Sequence, residues 1–322
     1  MSYSFKKYIT DSELLAYKLK KYGVAIIPNV ISEEECESTV SKIWDYFEKI
    51  TETWENPINR NDEKSWKGFY ELYPKHSMLF QHWSIGHNQA SWDLRQNPKI
   101  VDIFSKFWKV EPNKLLVSFD ALSFHPPPEI TNRGWYRNNT WYHSDQSFTR
   151  NNLECIQSWI SAFDVEKGDA TLAFYEKSHK YHKEFAEKFK IKSKSDWYKL
   201  TKEQEKFFID KGCKEKRIKC PKGSLVLWDS RTIHCGVEAS RDRKNKKFRA
   251  VIYLCYQPRS FSTDKQIIKK LKALDDLRTT SHWPAKIKLF PKNPQTYGKE
   301  LPNITKIDKP NLTNLGKTLS GY

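Results

Sequence analysis

Only 11 glycines are spread through 322 residues, and the six cysteines never fall into a C-x-x-C pair. Cys36, Cys155, Cys213, Cys220, Cys235 and Cys255 are too isolated for a zinc site, and reduced thiols in a cytoplasmic protein are the simplest reading. The opening Met-Ser-Tyr-Ser-Phe-Lys-Lys has no apolar leader, which argues against secretion. No apolar run approaches the length of a membrane span, so no membrane partner is expected. Internal repeats and low-complexity blocks are missing too. Lysine and arginine are abundant but form no recognised nucleic-acid motif, which disfavours a nucleic-acid partner. With glycine so scarce, Gly168 and Gly223 mark turns between strands, where the backbone needs positive φ.

Aromatic residues are plentiful: 12 Trp, 16 Tyr and 18 Phe, or 14% of the chain. That content excludes a disordered protein despite a mean hydropathy of -0.78. The length suits one large domain spanning 1–322. Residues 1–114 read as a helical and irregular region. Ser32 and Glu35 form a capping box ahead of a helix that runs to about Ile50. A second helix covers Pro98 to Trp108, and the polar, aromatic stretch 51–90 between them holds His76, His82 and His87. From 115 to 258 the hydrophobic period becomes two, with strands at Leu115–Phe124, Glu154–Phe163, Ala170–Tyr175, Ser224–Trp228 and Arg249–Tyr256. A charged, aromatic helical insert interrupts them at about 179–212. Residues 259–322 read as a C-terminal helix and tail. The formal net charge is +17. It is either a solvated lysine-rich surface or an electropositive face for an anionic partner, such as a nucleic acid or an anionic small-molecule substrate like a phosphorylated metabolite. The oligomeric state is not readable.

Trp141-Tyr142-His143-Ser144-Asp145-Gln146-Ser147 carries the chemistry. On extended backbone, side chains at i and i+2 leave the same face. His143 and Asp145 therefore present an imidazole and a carboxylate to one space. With His234 they complete a 2-His-1-carboxylate set, the facial triad of non-haem Fe(II) oxygenases. Fifteen residues on, Arg249 heads a strand and is suited to clamp the far carboxylate of a dicarboxylic co-substrate. Arg241 and Arg243 are its rivals, but they lie in a polar loop.

From Tyr22 to Gln257 the chain resembles the phytanoyl-CoA dioxygenase family of Fe(II)/2-oxoglutarate oxygenases. The likeness rests on Tyr22–Ser32, Asp120–Pro127, Trp141–Asp145, Gln157–Ala162, Gly168–Leu172, Lys177–Lys180, Pro221–Trp228, His234 and Arg249. It implies a mainly β fold with flanking helices around a double-stranded β-helix, or jelly roll. It also implies Fe(II), 2-oxoglutarate and O2 as cofactors, and hydroxylation of a small molecule with release of succinate and CO2. His125 stands where many members carry a lysine that contacts 2-oxoglutarate. Thr140 and Ser144 are candidates for touching the co-substrate. Gln157 and Trp159 are candidates for lining the pocket, or for ordinary barrel packing. Asp145 argues against halogenation, since halogenating relatives replace the acid with a small residue. Two alternatives stay open: an oxygenase acting on nucleic acid or protein, and a jelly-roll binding protein without turnover.

Overall fold

The computed structural model describes residues 2–72, 79–298 and 300–322. His76 lies outside them. The strands are β1 (Ser2–Ser4), β2 (Val24–Ile27), β3 (Leu115–Val117), β4 (Leu122–His125), β5 (His143–Ser144), β6 (Ile156–Ser161), β7 (Thr171–Tyr175), β8 (Tyr198–Lys199), β9 (Glu215–Ile218), β10 (Leu225–Asp229), β11 (His234–Val237), β12 (Arg249–Tyr253) and β13 (Tyr256–Pro258). They form a six-stranded sheet, β1-β9-β7-β11-β5-β8, a five-stranded sheet, β2-β10-β6-β12-β4, and a β13-β3 ribbon. The two large sheets are the walls of the expected jelly roll.

Alternation along the strands shows how the walls face each other. Val226 and Trp228 of β10 share a cluster with Leu172 and Phe174 of β7, Trp159 of β6 and Val251 of β12. These residues, drawn from both sheets, fill the space between them. The intervening residues point outward. Leu225, Leu227, Ile160, Ala250 and Ile252 join the N-terminal helices in a second cluster. Ala173, Tyr175, Cys235 and Val237 join Phe185, Phe207 and Phe208 of the insert in a third. Both faces of each wall are therefore buried, which is why the strands carry near-continuous apolar runs.

Helix Glu33–Thr51 begins at the expected capping box: Ser32 accepts from the Glu35 N–H, and the Glu35 carboxylate accepts from the Ser32 N–H. Its apolar stripe places Trp44 and Phe47 against Phe124 on the outer face of β4, with ring centroids 5.1 and 5.5 Å apart. Helix Pro98–Trp108 has the anticipated bounds.

Two expected strands are each broken in two. Leu115–Phe124 divides into β3 and β4 because residues 118–121 find other partners. The Ser118 N–H donates to Cys255 O, the Phe119 N–H to Thr280 Oγ1, and Arg95 donates to Asp120 O at 2.8 Å. The Asp120 carboxylate accepts from the Ala121 N–H at 2.7 Å, a local bond that competes with a sheet ladder. Arg249–Tyr256 breaks after Tyr253, where Leu254 pairs with Ser158 through both N–H and C=O. The insert is a pair of short helices, His182–Lys188 and Lys202–Asp210, but it also supplies β8, which pairs with β5. The tail ends in a helix, Asn314–Ser320, that the Pro/Asn/Lys-rich composition concealed.

Phe185 is fully buried under the insert helices. Phe185→Ala should cost about 3–5 kcal/mol of unfolding free energy in urea titrations. Burial also pushes the Asp120 carboxyl up from 3.8 to about 7, with the Asp145 charge adding to the effect against the Ala121 N–H and Arg95. A carboxyl raised on folding favours the native state while it is protonated, and that contribution is lost as pH rises through about 7. Asp120→Asn should flatten the fall in stability measured between acid and neutral pH.

Candidate metal centre

β11 lies beside β5 with His234 directly opposite His143. Opposite residues of an antiparallel pair share a face, and the two imidazole centroids are 4.4 Å apart. Asp145 follows β5 by one residue. Its N–H donates to Ser230 O at 3.2 Å, and His282 Nε2 donates to its C=O at 3.2 Å. Asp145 Oδ2 comes within 3.5 Å of His143 Nε2 and 3.3 Å of His234 Nε2. One donor atom from each of the three residues lies within 4.8 Å of the others.

The tautomers follow from the backbone. His143 Nδ1 meets Trp141 O at 3.1 Å, and His234 Nδ1 meets Thr232 O at 2.8 Å. A carbonyl only accepts, so each Nδ1 carries the proton and each Nε2 turns a lone pair toward the carboxylate. Buried lone pairs gathered in this way repel one another unless a cation lies among them. An octahedral divalent ion with bonds of roughly 2.1 Å holds neighbouring donors about 3 Å apart. The donor set fits such an ion with little adjustment.

Burial alone would raise the Asp145 carboxyl, yet positive charge at His143, with hydrogen bonds from His143 and His234 when a proton on Nε2 takes the place of a metal ion, holds it well below the usual range. Burial lowers His234, with His143 adding to the effect, so its imidazole favours the neutral, ligating form. Gln157 Nε2 donates to Asp145 Oδ2 at 3.1 Å and fixes the carboxylate.

Gln157, Trp159 and Ser161 alternate along the inner face of β6. Trp159 is one strand step, roughly 6.6 Å, beyond the Asp145 partner. The Arg249 guanidinium sits 5.5 Å from its ring. Arg249 faces inward like Val251 and donates from Nη1 to Ala170 O at 2.8 Å. His125 lies opposite Arg249 on β4. Buried without a partner in this interior are Arg249 Nε, Trp159 Nε1, Trp228 Nε1 and His125 Nε2. Such buried polar atoms are matched in most folded proteins, and a polar ligand between the walls would match them here. Burial lowers His125 to about 3, the Arg249 and Arg243 charges adding to it, so it is neutral. Gly134, at φ +84°, packs on this ring, and a Cβ there would lie 2.1 Å from His125 Cε1. A small pocket beside Arg249 is lined by His125, Ser161, Phe163, Arg243 and Phe248 among others.

The rival arginines are otherwise engaged. Arg243 is ion-paired to Glu129 and lies 3.5 Å from Asp169. Arg241 is exposed and rests over Trp135 at 5.1 Å. Thr140, expected near the co-substrate, stands apart from the interior set, because its hydroxyl accepts from Lys202 of the insert at 3.4 Å. The Ser144 hydroxyl is likewise turned away, donating to Gln146 O at 2.9 Å. The Ser178–His179 segment makes structural contacts. Ser178 Oγ accepts from the Ile233 N–H at 2.8 Å, and His179 Nε2 bonds Lys20 O at 3.1 Å. These contacts steady the approach to His234, and Gly23 leaves room for His179 and Thr232, since a Cβ would come within 2.6 Å of each.

Sequence reasoning missed His282, Trp228 and Lys199. His282 sits in the tail with no motif around it. Trp228 is hidden in an apolar run, its ring 5.4 Å from that of His234. Lys199 gives no signal until β8 is seen beside β5.

Fold and donor set together define a jelly-roll protein with a candidate 2-His-1-carboxylate metal centre. The chain belongs to the phytanoyl-CoA dioxygenase family, whose sequence profile matches residues 19–249. Its chemistry is thus of the Fe(II)/2-oxoglutarate-dependent oxygenase type, with iron and 2-oxoglutarate as cofactors. The Ava biosynthesis cluster protein O of Aspergillus versicolor is 26% identical over 271 residues, covering 81% of this chain and 83% of that protein. The crystal structure of a hypothetical protein from Escherichia coli superposes with a TM-score of 0.62 at 14% identity, over 98% of this chain and 85% of that one. At that identity the likeness concerns the fold alone. Among the described residues no helix is long and apolar enough to cross a membrane.

Because one Gln157 N–H orients the carboxylate, Gln157→Leu should weaken Mn(II) binding, followed by equilibrium titration, by about 10- to 100-fold. The far-UV spectrum should be unchanged.

Proposed function

We propose that this protein is a dioxygenase that hydroxylates a small molecule. In this reading His143, Asp145 and His234 hold Fe(II), and Arg249 anchors the distal carboxylate of 2-oxoglutarate. The carrying observation is the convergence of two imidazole Nε2 atoms and Asp145 Oδ2. When bound, iron and 2-oxoglutarate supply O2 chemistry that couples decarboxylation to succinate and CO2 with oxidation of a substrate C–H.

The chain's own residues prepare that chemistry. Trp141 O and Thr232 O fix the imidazole tautomers, so no proton has to leave the ligating nitrogens. Gln157 holds the carboxylate. Arg249, without a carboxylate partner among the described residues, offers its fork to an anion, while Trp159 packs beneath the guanidinium and excludes water. His125, neutral and beside Arg249, presents an unpaired Nε2 to the same space. A facial set leaves neighbouring coordination positions for co-substrate and O2.

His143→Ala, Asp145→Ala and His234→Ala should each abolish iron-dependent succinate formation. Arg249→Ala should raise the 2-oxoglutarate concentration needed for half-maximal turnover at least tenfold while leaving Fe(II) affinity in place. If Arg243→Ala reproduces that effect and Arg249→Ala does not, the assignment of the clamp is wrong.

A further inference from the structure

Two tryptophans beside the donors remain in solvent. Trp141 keeps 37% and Trp197 52% of its surface exposed, although large aromatic side chains have much to gain from burial. Trp141 is two residues before His143, and Trp197 is two before Lys199. Along extended chain that spacing turns each pair to one side. His143 and Lys199 are directly opposite in the β5–β8 pair, so all four side chains belong to one face. The ring contacts agree. Trp141 stacks on the His143 imidazole at 4.7 Å with the planes 7° apart, and Trp197 lies 6.1 Å from the same imidazole at 38°. Lys199 is exposed, and among the described residues no carboxylate pairs with it. By contrast, Lys202 pairs with Glu205 and Lys288 with Asp196.

The backbone carrying this rim is tethered. Asp196, just before Trp197, is ion-paired to Arg150 and to Lys288 and accepts from the Ser147 N–H at 3.4 Å. It joins the insert to the loop after Asp145 and to the C-terminal segment. Exposed indoles on a held frame are preorganised to bind, because little ordering remains to be done when a ligand arrives.

We propose that Trp141, Trp197 and Lys199 form the substrate-recognition rim, and that the substrate is a small molecule with a flat, unsaturated ring system bearing an anionic group. The indoles stack on the ring and Lys199 pairs with the anion, which seats the ring beside His143. That this ring is then oxidised rests on the oxygenase reading; its capture does not.

The test uses the full chain, anaerobically, with Mn(II) and 2-oxoglutarate bound and 2-naphthoate as probe. Calorimetric titration should show saturable binding, with radiolabelled 2-oxoglutarate retained. Trp141→Ala and Trp197→Ala should each weaken binding by about two- to tenfold, and the double variant by more, whereas Trp→Phe at either site should restore most of it. Lys199→Gln should weaken 2-naphthoate but leave 2-naphthalenemethanol unaffected, and cyclohexanecarboxylate should bind less well than 2-naphthoate. No saturable binding, equal affinity in the tryptophan variants, or displacement of 2-oxoglutarate by the probe would overturn the rim. Loss of Mn(II) and 2-oxoglutarate binding alongside tryptophan-dependent naphthoate binding would sink the oxygenase reading and leave the rim standing.

Discussion

Everything at the centre depends on the pairing of β11 with β5 at the position where His234 faces His143. Strand pairing brings two imidazoles from distant parts of the chain onto one face, and the carbonyls of Trp141 and Thr232 then leave each with a lone pair aimed at Asp145. The arrangement is costly without a cation, because three electron-rich atoms are held together away from water. The surroundings keep it from relaxing. Asp145 is bonded at its N–H by Ser230, at its C=O by His282 and at its carboxylate by Gln157. Gln146 locks the following loop, its amide reaching Arg150 O and Asn152 O while its oxygen accepts from Ser230 Oγ. The protein meets the electrostatic cost of the site in advance, through folding contacts that do not involve the metal.

The inner face of β6 extends this logic from one end of the jelly roll to the other. Gln157 belongs to the metal donors, Trp159 to Arg249, and Ser161 to the cavity beyond. A single strand with a period of two thus spaces the three metal-donor candidates from the Arg249 guanidinium by backbone geometry alone. The outer faces bear none of this chemistry and are covered by two different coats, the N-terminal helices on one wall and the insert on the other.

Much of this was legible from residue order. His143, Asp145 and His234 could be joined because His-x-Asp on a strand fixes a shared face, and the alternating runs marked β6, β7 and β10 to within about two residues. The capping box marked the start of the long helix. Local patterns failed where remote partners decide. Nothing near Ser118–Ala121 shows that Thr280 and Arg95 take its backbone bonds and split one strand into two. β8 has only two residues and owes its existence to β5. His282 is far along the chain from Asp145, and no periodic signal connects them. Thr140 is near His143 in sequence, but its hydroxyl accepts from Lys202 of the insert.

The short β8 strand has a consequence for how this site can change. Its alternation places Lys199 toward His143, while Tyr198 packs among the apolar residues on the other side. Adding or deleting one residue between Asp196 and Thr201 would exchange the two, setting a phenol beside the imidazole and turning an ammonium group into oil. Insertions within the helical parts of the insert would leave that register alone. The insert is therefore a replaceable faceplate with one critical notch: it can vary widely in length and composition, yet a single-residue slip at β8 would change which side chain lies beside His143 while His143, Asp145 and His234 stay where they are.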